Sequence, residues 1–164
     1  MSILMEKEVT IDRIMSANYD VFKALDDPIR GKIVQLLNKK QLNVEQITRR
    51  LKKFGYKKAV TTIRHHIEIL KDSGLIEIAK IEESRGAITK YYSSSTKLLD
   101  FTLPLDFDEN YSKLISKTSL KLGKVIGPIL KNFSKTRKIQ QINYNNYIVM
   151  EIVNRAITNL LEKK

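Results

Sequence analysis

Apolar residues recur at helical spacing in several separate runs of this chain, and the sharpest run lies between Ala59 and Ile76, AVTTIRHHIEILKDSGLI. At about 100° per residue, Val60, Ile63, Ile67 and Leu70 gather on one side of a helix, with Ala59 and His66 flanking them. Lys58, Thr61 and His65 face the other way. An apolar stripe that seats a helix, opposed by small polar and cationic groups, is the pattern of a helix that lies in a groove of DNA. Ser73-Gly74 closes it.

Upstream, DDPIRGKIVQLLNKK predicts a helix with Asp27 as N-cap and Pro28 at the first helical position, where a missing N–H is no loss. Ile29, Ile33, Leu36 and Leu37 form its core stripe, and a short helix from about Ala17 to Leu25 precedes it, with Tyr19, Phe22 and Leu25 as its repeat. A brief extended piece near Leu42 to Val44 leads to a third helix, Glu45 to Lys53, capped by Asn43, with Ile47 and Leu51 facing inward. Gly55 ends that helix, and FGYKK makes the turn.

Leu75 to Ile81 and Ala87 to Ser93, rich in Ile, Thr and Tyr, predict two strands joined by Glu82 to Gly86, although Ile76, Ile78 and Ile81 do not alternate cleanly. Beyond Thr96, DFTLPLDFDEN predicts a linker. Tyr111 to Lys131 then carries Leu114, Leu122, Val125, Ile126 and Ile129 at helical spacing, with a kink or break expected at Gly127-Pro128. A last helix, about Asn143 to Glu162, is apolar over most of its surface and so needs partners on more than one side.

The fold class expected is mainly α with a small β-hairpin: a winged helix-turn-helix domain plus a C-terminal helical dimerisation extension. The boundaries are 1–95 for the winged domain, including an N-terminal arm at 1–16, then an acidic linker at 96–110 and a helical region at 111–164.

Charge sharpens this division. Of a net +12, residues 43–76 hold eight Lys or Arg against three acids, residues 111–142 hold eight against none, and residues 94–110 hold one against four. Two basic surfaces and an acidic connector follow, and a basic surface points to a polyanion. No apolar run approaches the roughly eighteen residues of a membrane span, and charges appear early in MSILMEKEV, so a cytoplasmic protein without membrane contact is expected. Cysteine is absent, which excludes disulfides, thiolate metal sites and cysteine nucleophiles. No nucleophile elbow, phosphate-binding glycine loop or metal-ligand spacing occurs, so neither enzymatic activity nor a metal or other cofactor is expected.

Taken in order, FKALDDPIRGKIVQLL, VEQITRRL, TIRHHIEILKDSGLI and RGAITKYY resemble the ArsR/SmtB-type winged-helix transcription regulators, over about Ala17 to Ser93. Asp27 to Arg30 is similar to that family's second-helix start, and His66-Ile67, Leu70 and Ser73 to Ile76 to its recognition-helix ending. The turn after Leu51 is longer than the family's by about KKFGY. The family's metal sensors use Cys, or His with carboxylates; this chain has only the adjacent His65 and His66, which diverge by about 100° around a helix. The resemblance implies a sequence-specific regulator of double-stranded DNA, a repressor in its expected mode, acting as a homodimer. A winged-helix adaptor in a transcription or other nucleic-acid assembly is the alternative reading, because one fold hosts both uses.

The DNA-contacting residues expected are Lys57, Lys58, Thr61, Thr62, Arg64 and His65 around the start of the recognition helix, Arg85 at the wing tip and Lys90 on the wing. Arg64, Thr61 and His65 are the candidates for base edges, while His66 packs. Dimerisation is assigned to Ile148, Ile152, Val153, Ala156, Ile157 and Leu160. Lys113, Lys117, Lys121 and Lys124 make a lysine stripe read as a solvated face. The sequence specifies neither a small-molecule effector nor a target site.

Overall fold

The computed structural model describes residues 17–133 and 139–162, and the expected arm at 1–16 lies outside them. Contacts divide the described chain into two units, one spanning Ala17–Phe101 and one beginning at Thr102.

In the first unit, four helices precede a hairpin. Helix α1 (Tyr19–Leu25) starts at Asn18, whose side-chain oxygen accepts from the Val21 N–H at 2.9 Å. Helix α2 (Pro28–Leu36) is capped by Asp27, which accepts from the Ile29 N–H at 2.8 Å, with Pro28 in the first turn. Helix α3 (Val44–Lys53) opens with a reciprocal pair: Asn43 accepts from the Gln46 N–H at 2.9 Å while Gln46 accepts from the Asn43 N–H at 3.0 Å. Helix α4 (Val60–Asp72) follows an irregular run from Tyr56 to Ala59, and the turn before it passes through Gly55 at φ +88°, a conformation that suits glycine.

Ile33 and Leu37 from the second helix segment, Ile47 and Leu51 from α3, Ile63, Ile67 and Leu70 from α4, and Ile76 from the hairpin are all essentially inaccessible and form one core. At about 1.5–3 kcal/mol for each fully buried aliphatic side chain, this cluster is what holds α4 in place. Two expected core faces differ. Tyr19 and Phe22 are 75% and 48% exposed, because α1 turns Ala24 inward, with Val21 and Leu25 half-buried, so its inner face lies two residues out of phase with the aromatic repeat. Val60 is 36% exposed, since as the first residue of α4 it lies beyond the buried stripe.

Strands β1 (Ile76–Ser84) and β2 (Ala87–Ser94) pair antiparallel, and a register shift between Ile78 and Lys80 accounts for the imperfect alternation of the isoleucines. The strands run further than the sequence implies. Only Arg85 and Gly86 connect them, both at positive φ (52° and 79°), so the expected five-residue connection is a two-residue turn of the twist-matching kind. Leu42 and Tyr92 exchange backbone hydrogen bonds at 3.0 and 2.9 Å, which ties the segment before α3 to the base of the hairpin.

The second unit is two long helices, α5 (Phe107–Phe133) and α6 (Ile139–Glu162). α5 starts earlier than expected, because Asp108 and Glu109 favour the positive end of a helix and Asn110 donates to Asp106 at 2.7 Å. The helix does not break at Gly127-Pro128: Pro128 lies inside a continuous helix, forfeiting one backbone bond without ending it. α6 likewise begins before the expected Asn143. Asn145 on α6 is buried and donates to the Phe133 carbonyl at 3.3 Å. No residue of α5 is buried.

Candidate nucleic-acid interface

Arg30 and Asp27 fix the angle at which α4 leaves the core. The Arg30 guanidinium donates to the carbonyls of Ala24 and Lys23, the last turn of α1, and its Nη1 lies 3.5 Å from His66 Nδ1 on α4. Asp27, besides capping α2, stands 3.8 Å from Arg30 and 4.0 Å from His66. Three helices therefore meet at this one cluster, which gives the Asp27–Arg30 motif a physical role that pattern alone does not disclose. Burial holds the His66 imidazole below its ordinary pKa of 6.5, with Asp27 opposing and Arg30 reinforcing the shift.

With Ile63, His66, Ile67 and Leu70 turned into the core, the opposite ridge of α4 carries Thr61, Arg64, His65 and Glu68, all exposed. Thr62, Lys57 and Lys58 are exposed as well, but the two lysines lie on the irregular approach and not on the helix. Lys58 lines a cavity of about 520 Å³ with Asp26, Asp27, Arg30 and Tyr56, so it stands near the acidic start of α2 and off the α4 ridge. Ala59 offers no side-chain cap, which leaves the amides at the start of α4 open to an anion.

Arg64 Nη2 lies 3.5 Å from Glu45 Oε1 on α3, and both side chains are more than half exposed. An exposed pair of this kind is worth at most about 1 kcal/mol and is readily exchanged for a phosphate or a base edge. Arg64 and Lys90 line the same groove of about 430 Å³ between α3, α4 and β2. On the wing, Lys80 binds Glu82, and Tyr91 also hydrogen-bonds that carboxylate, so Glu82 is held below its ordinary range and its charge is matched by a neighbour. Lys90 makes no such pair among the described residues. Arg85 stands exposed at the tip in the left-handed region, where Asn, Asp or Gly is the usual occupant.

The segment 25–79 matches the model of a family described as a helix-turn-helix domain. Residues 25–79 form a helix-turn-helix domain. That segment contains the Asp27–Arg30 and His66–Ile76 stretches on which the ArsR/SmtB resemblance rests, with α3 and α4 as its two helices; it ends within β1, and β2 lies beyond it. Among solved structures, the chain is similar to the homodimeric winged helix-turn-helix DNA-binding domain of a possible ArsR-family transcriptional regulator from Mycobacterium bovis. The two are 21% identical, the match covers 64% of this chain and 81% of that one, and the TM-score is 0.35. No curated protein matches the chain.

The expected dimer residues on α6 are differently placed. Ile148 and Val153 are half-buried, while Ile152, Ala156, Ile157 and Leu160 are exposed. The apolar stripe of α5, to which the sequence assigns no dimer contact, is as open, with Tyr111, Leu114, Ile115, Leu122 and Val125 all exposed. With Thr118 and Ile129, positions 111, 114, 118, 122, 125 and 129 stay on one side of the helix, and Lys113, Lys117, Lys121 and Lys124 flank it on a stripe centred about 110° around the axis. No helix among the described residues is long and apolar enough to cross a membrane, and no group of three or more His, Asp or Glu among them is placed to hold a metal ion.

Proposed function

We propose that this protein is a sequence-specific regulator of transcription that binds double-stranded DNA as a homodimer, with α4 in the major groove and the wing at the adjacent minor groove. The observation that carries the reading is the α4 ridge: Thr61, Arg64 and His65 stand exposed on a helix whose other face is locked into the core. Thr61, Arg64 and His65 read base edges, with Arg64 released from Glu45 to make a two-pronged contact to guanine. Lys57, Lys58, Thr62 and the open amides of the first turn hold phosphates, and Lys90 holds the backbone beside the wing. Arg85 enters the minor groove; a left-handed arginine is conformationally costly, and a DNA contact is a reason to keep it there.

A single helix reads few base pairs, so two copies are needed to cover a two-fold site. The apolar residues of α6, half-buried Ile148 and Val153 with exposed Ile152, Ala156, Ile157 and Leu160, together with the α5 stripe, supply the pairing surface. A dimer seated on a promoter blocks access to it, so repression in the cytoplasm is the mode of action we favour. Gel shifts across a salt series on DNA from upstream of the protein's own coding sequence, with Arg64→Ala and Arg85→Ala, test this. Each change weakens binding by about tenfold if the contacts are as assigned. Equal binding by both variants, or no binding at low salt, defeats the reading.

A further inference from the structure

Basic residues gather on a second face of the helix-turn-helix domain, away from the α4 ridge. Lys40, Arg49, Arg50 and Lys53 line a groove of about 540 Å³ with Leu36 and Phe54, and no acidic side chain lines it. None of the four cations has an ion-pair partner among the described residues. Some cations elsewhere in the domain are matched, Arg30 by Asp27, Arg64 by Glu45, Lys71 by Glu68 and Lys80 by Glu82, while others among the described residues, Lys90 included, are not. Lys32 adds a fifth positive charge at the rim, its Nζ 4.1 Å from the centre of the half-exposed Phe54 ring.

The two faces lie on different flanks of α3. The α3 residues that line the groove, Gln46, Arg49, Arg50 and Lys53, centre about 90° around the helix axis from Glu45, which meets Arg64 of α4. Four converging like charges repel one another unless an anion neutralises them. A small enclosed ligand would call for a buried polar anchor, but the buried polar side chains among the described residues, Thr48, His66 and Asn145, do not line this groove. Exposed cations spaced along a helix suit the backbone of a polyanion instead.

We infer that the groove between the end of α2 and α3 is a second DNA-binding surface, which holds backbone phosphates outside the base-reading contact of α4. The inference rests on the proposed DNA binding, and its role is to engage flanking or neighbouring duplex without reading its sequence. The test measures binding of the full chain to its upstream duplex, and to a scrambled duplex of equal length, over a salt series. It compares the parent with Arg49→Ala/Arg50→Ala/Lys53→Ala, and with Arg49→Gln/Lys53→Gln, which spares half-buried Arg50. Each lost phosphate contact lowers the slope of log K against log salt by about 0.9. The triple variant is expected to lose about two to three units of slope and the double variant about two, both keeping the parent's preference for the upstream duplex. If the parent binds and the slopes of the variants equal its own, the groove is a solvated face and the inference is overturned while the α4 reading stands. Loss of sequence preference along with slope also overturns it, by merging the groove with the base-reading contact. No binding by the parent at low salt overturns both.

Discussion

At the scale of single residues, two side chains carry opposite bargains between fold and function. Arg85 occupies a left-handed turn position that Asn fills with less strain. Arg85→Asn is therefore expected to stabilise the winged domain by about 0.5–1 kcal/mol in urea unfolding while weakening DNA binding in the same preparation. A loss of both stability and binding would mean that the tip arginine serves the fold. His66 serves the fold already. Its imidazole is buried against Asp27 and Arg30 and is held below 6.5, so the unfolded chain takes up a proton near 6.5 and the folded chain only at lower pH. Its contribution is complete above about 6.5 and is lost as pH falls through the folded value. Unfolding free energies measured between neutral and mildly acid pH are expected to fall on acidification in the parent and to fall less in His66→Gln. Parallel pH profiles for the two proteins would remove His66 from this role.

At the scale of elements, the start of α4 shows how binding and stability compete along one helix. Ala59 leaves the first turn uncapped, so Ala59→Asp is expected to raise the melting temperature through a cap worth about 1 kcal/mol, and to weaken DNA binding by placing a carboxylate where a phosphate belongs. Thermal melts and gel shifts on the same variant separate the two effects. Local signals made most of the winged domain legible from the chain: Asp27-Pro28 and Asn43 announced α2 and α3, and the stripe Ile63, Ile67, Leu70 announced the buried face of α4. What stayed hidden depends on neighbours in space. The aromatic repeat in α1 misled because Ala24, a small residue, is the one that packs. The hairpin turn was read three residues too long because Arg is uncommon at positive φ. The Arg30–His66 contact joins residues 36 apart, and the cation groove joins Lys40 to Arg49, Arg50 and Lys53 across two elements, so neither shows as a local motif.

At the scale of the whole molecule, the unit beginning at Thr102 asks for a partner. A helix of 27 residues with none buried gains little from its own chain, and helices in water draw most of their stability from packing. The apolar stripes of α5 and α6 are expected to meet those of a second copy. Ile152→Glu/Ile157→Glu, or Leu114→Glu/Leu122→Glu on α5, should shift the protein from dimer to monomer in sedimentation and weaken DNA binding more than tenfold through loss of the second half-site. A dimer that survives the α6 pair and dissociates with the α5 pair would move the interface from α6, which the sequence favours, to α5.

Whether the exposed ridge of α4 reads sequence is tested most directly by the ratio of affinities for the upstream duplex and a scrambled duplex. Thr61→Ala/His65→Ala leaves the core face of α4 untouched, since both side chains are exposed. This variant is expected to keep its salt-dependent affinity for scrambled DNA while the ratio collapses toward unity. A ratio equal to the parent's would show that base recognition lies elsewhere than on α4.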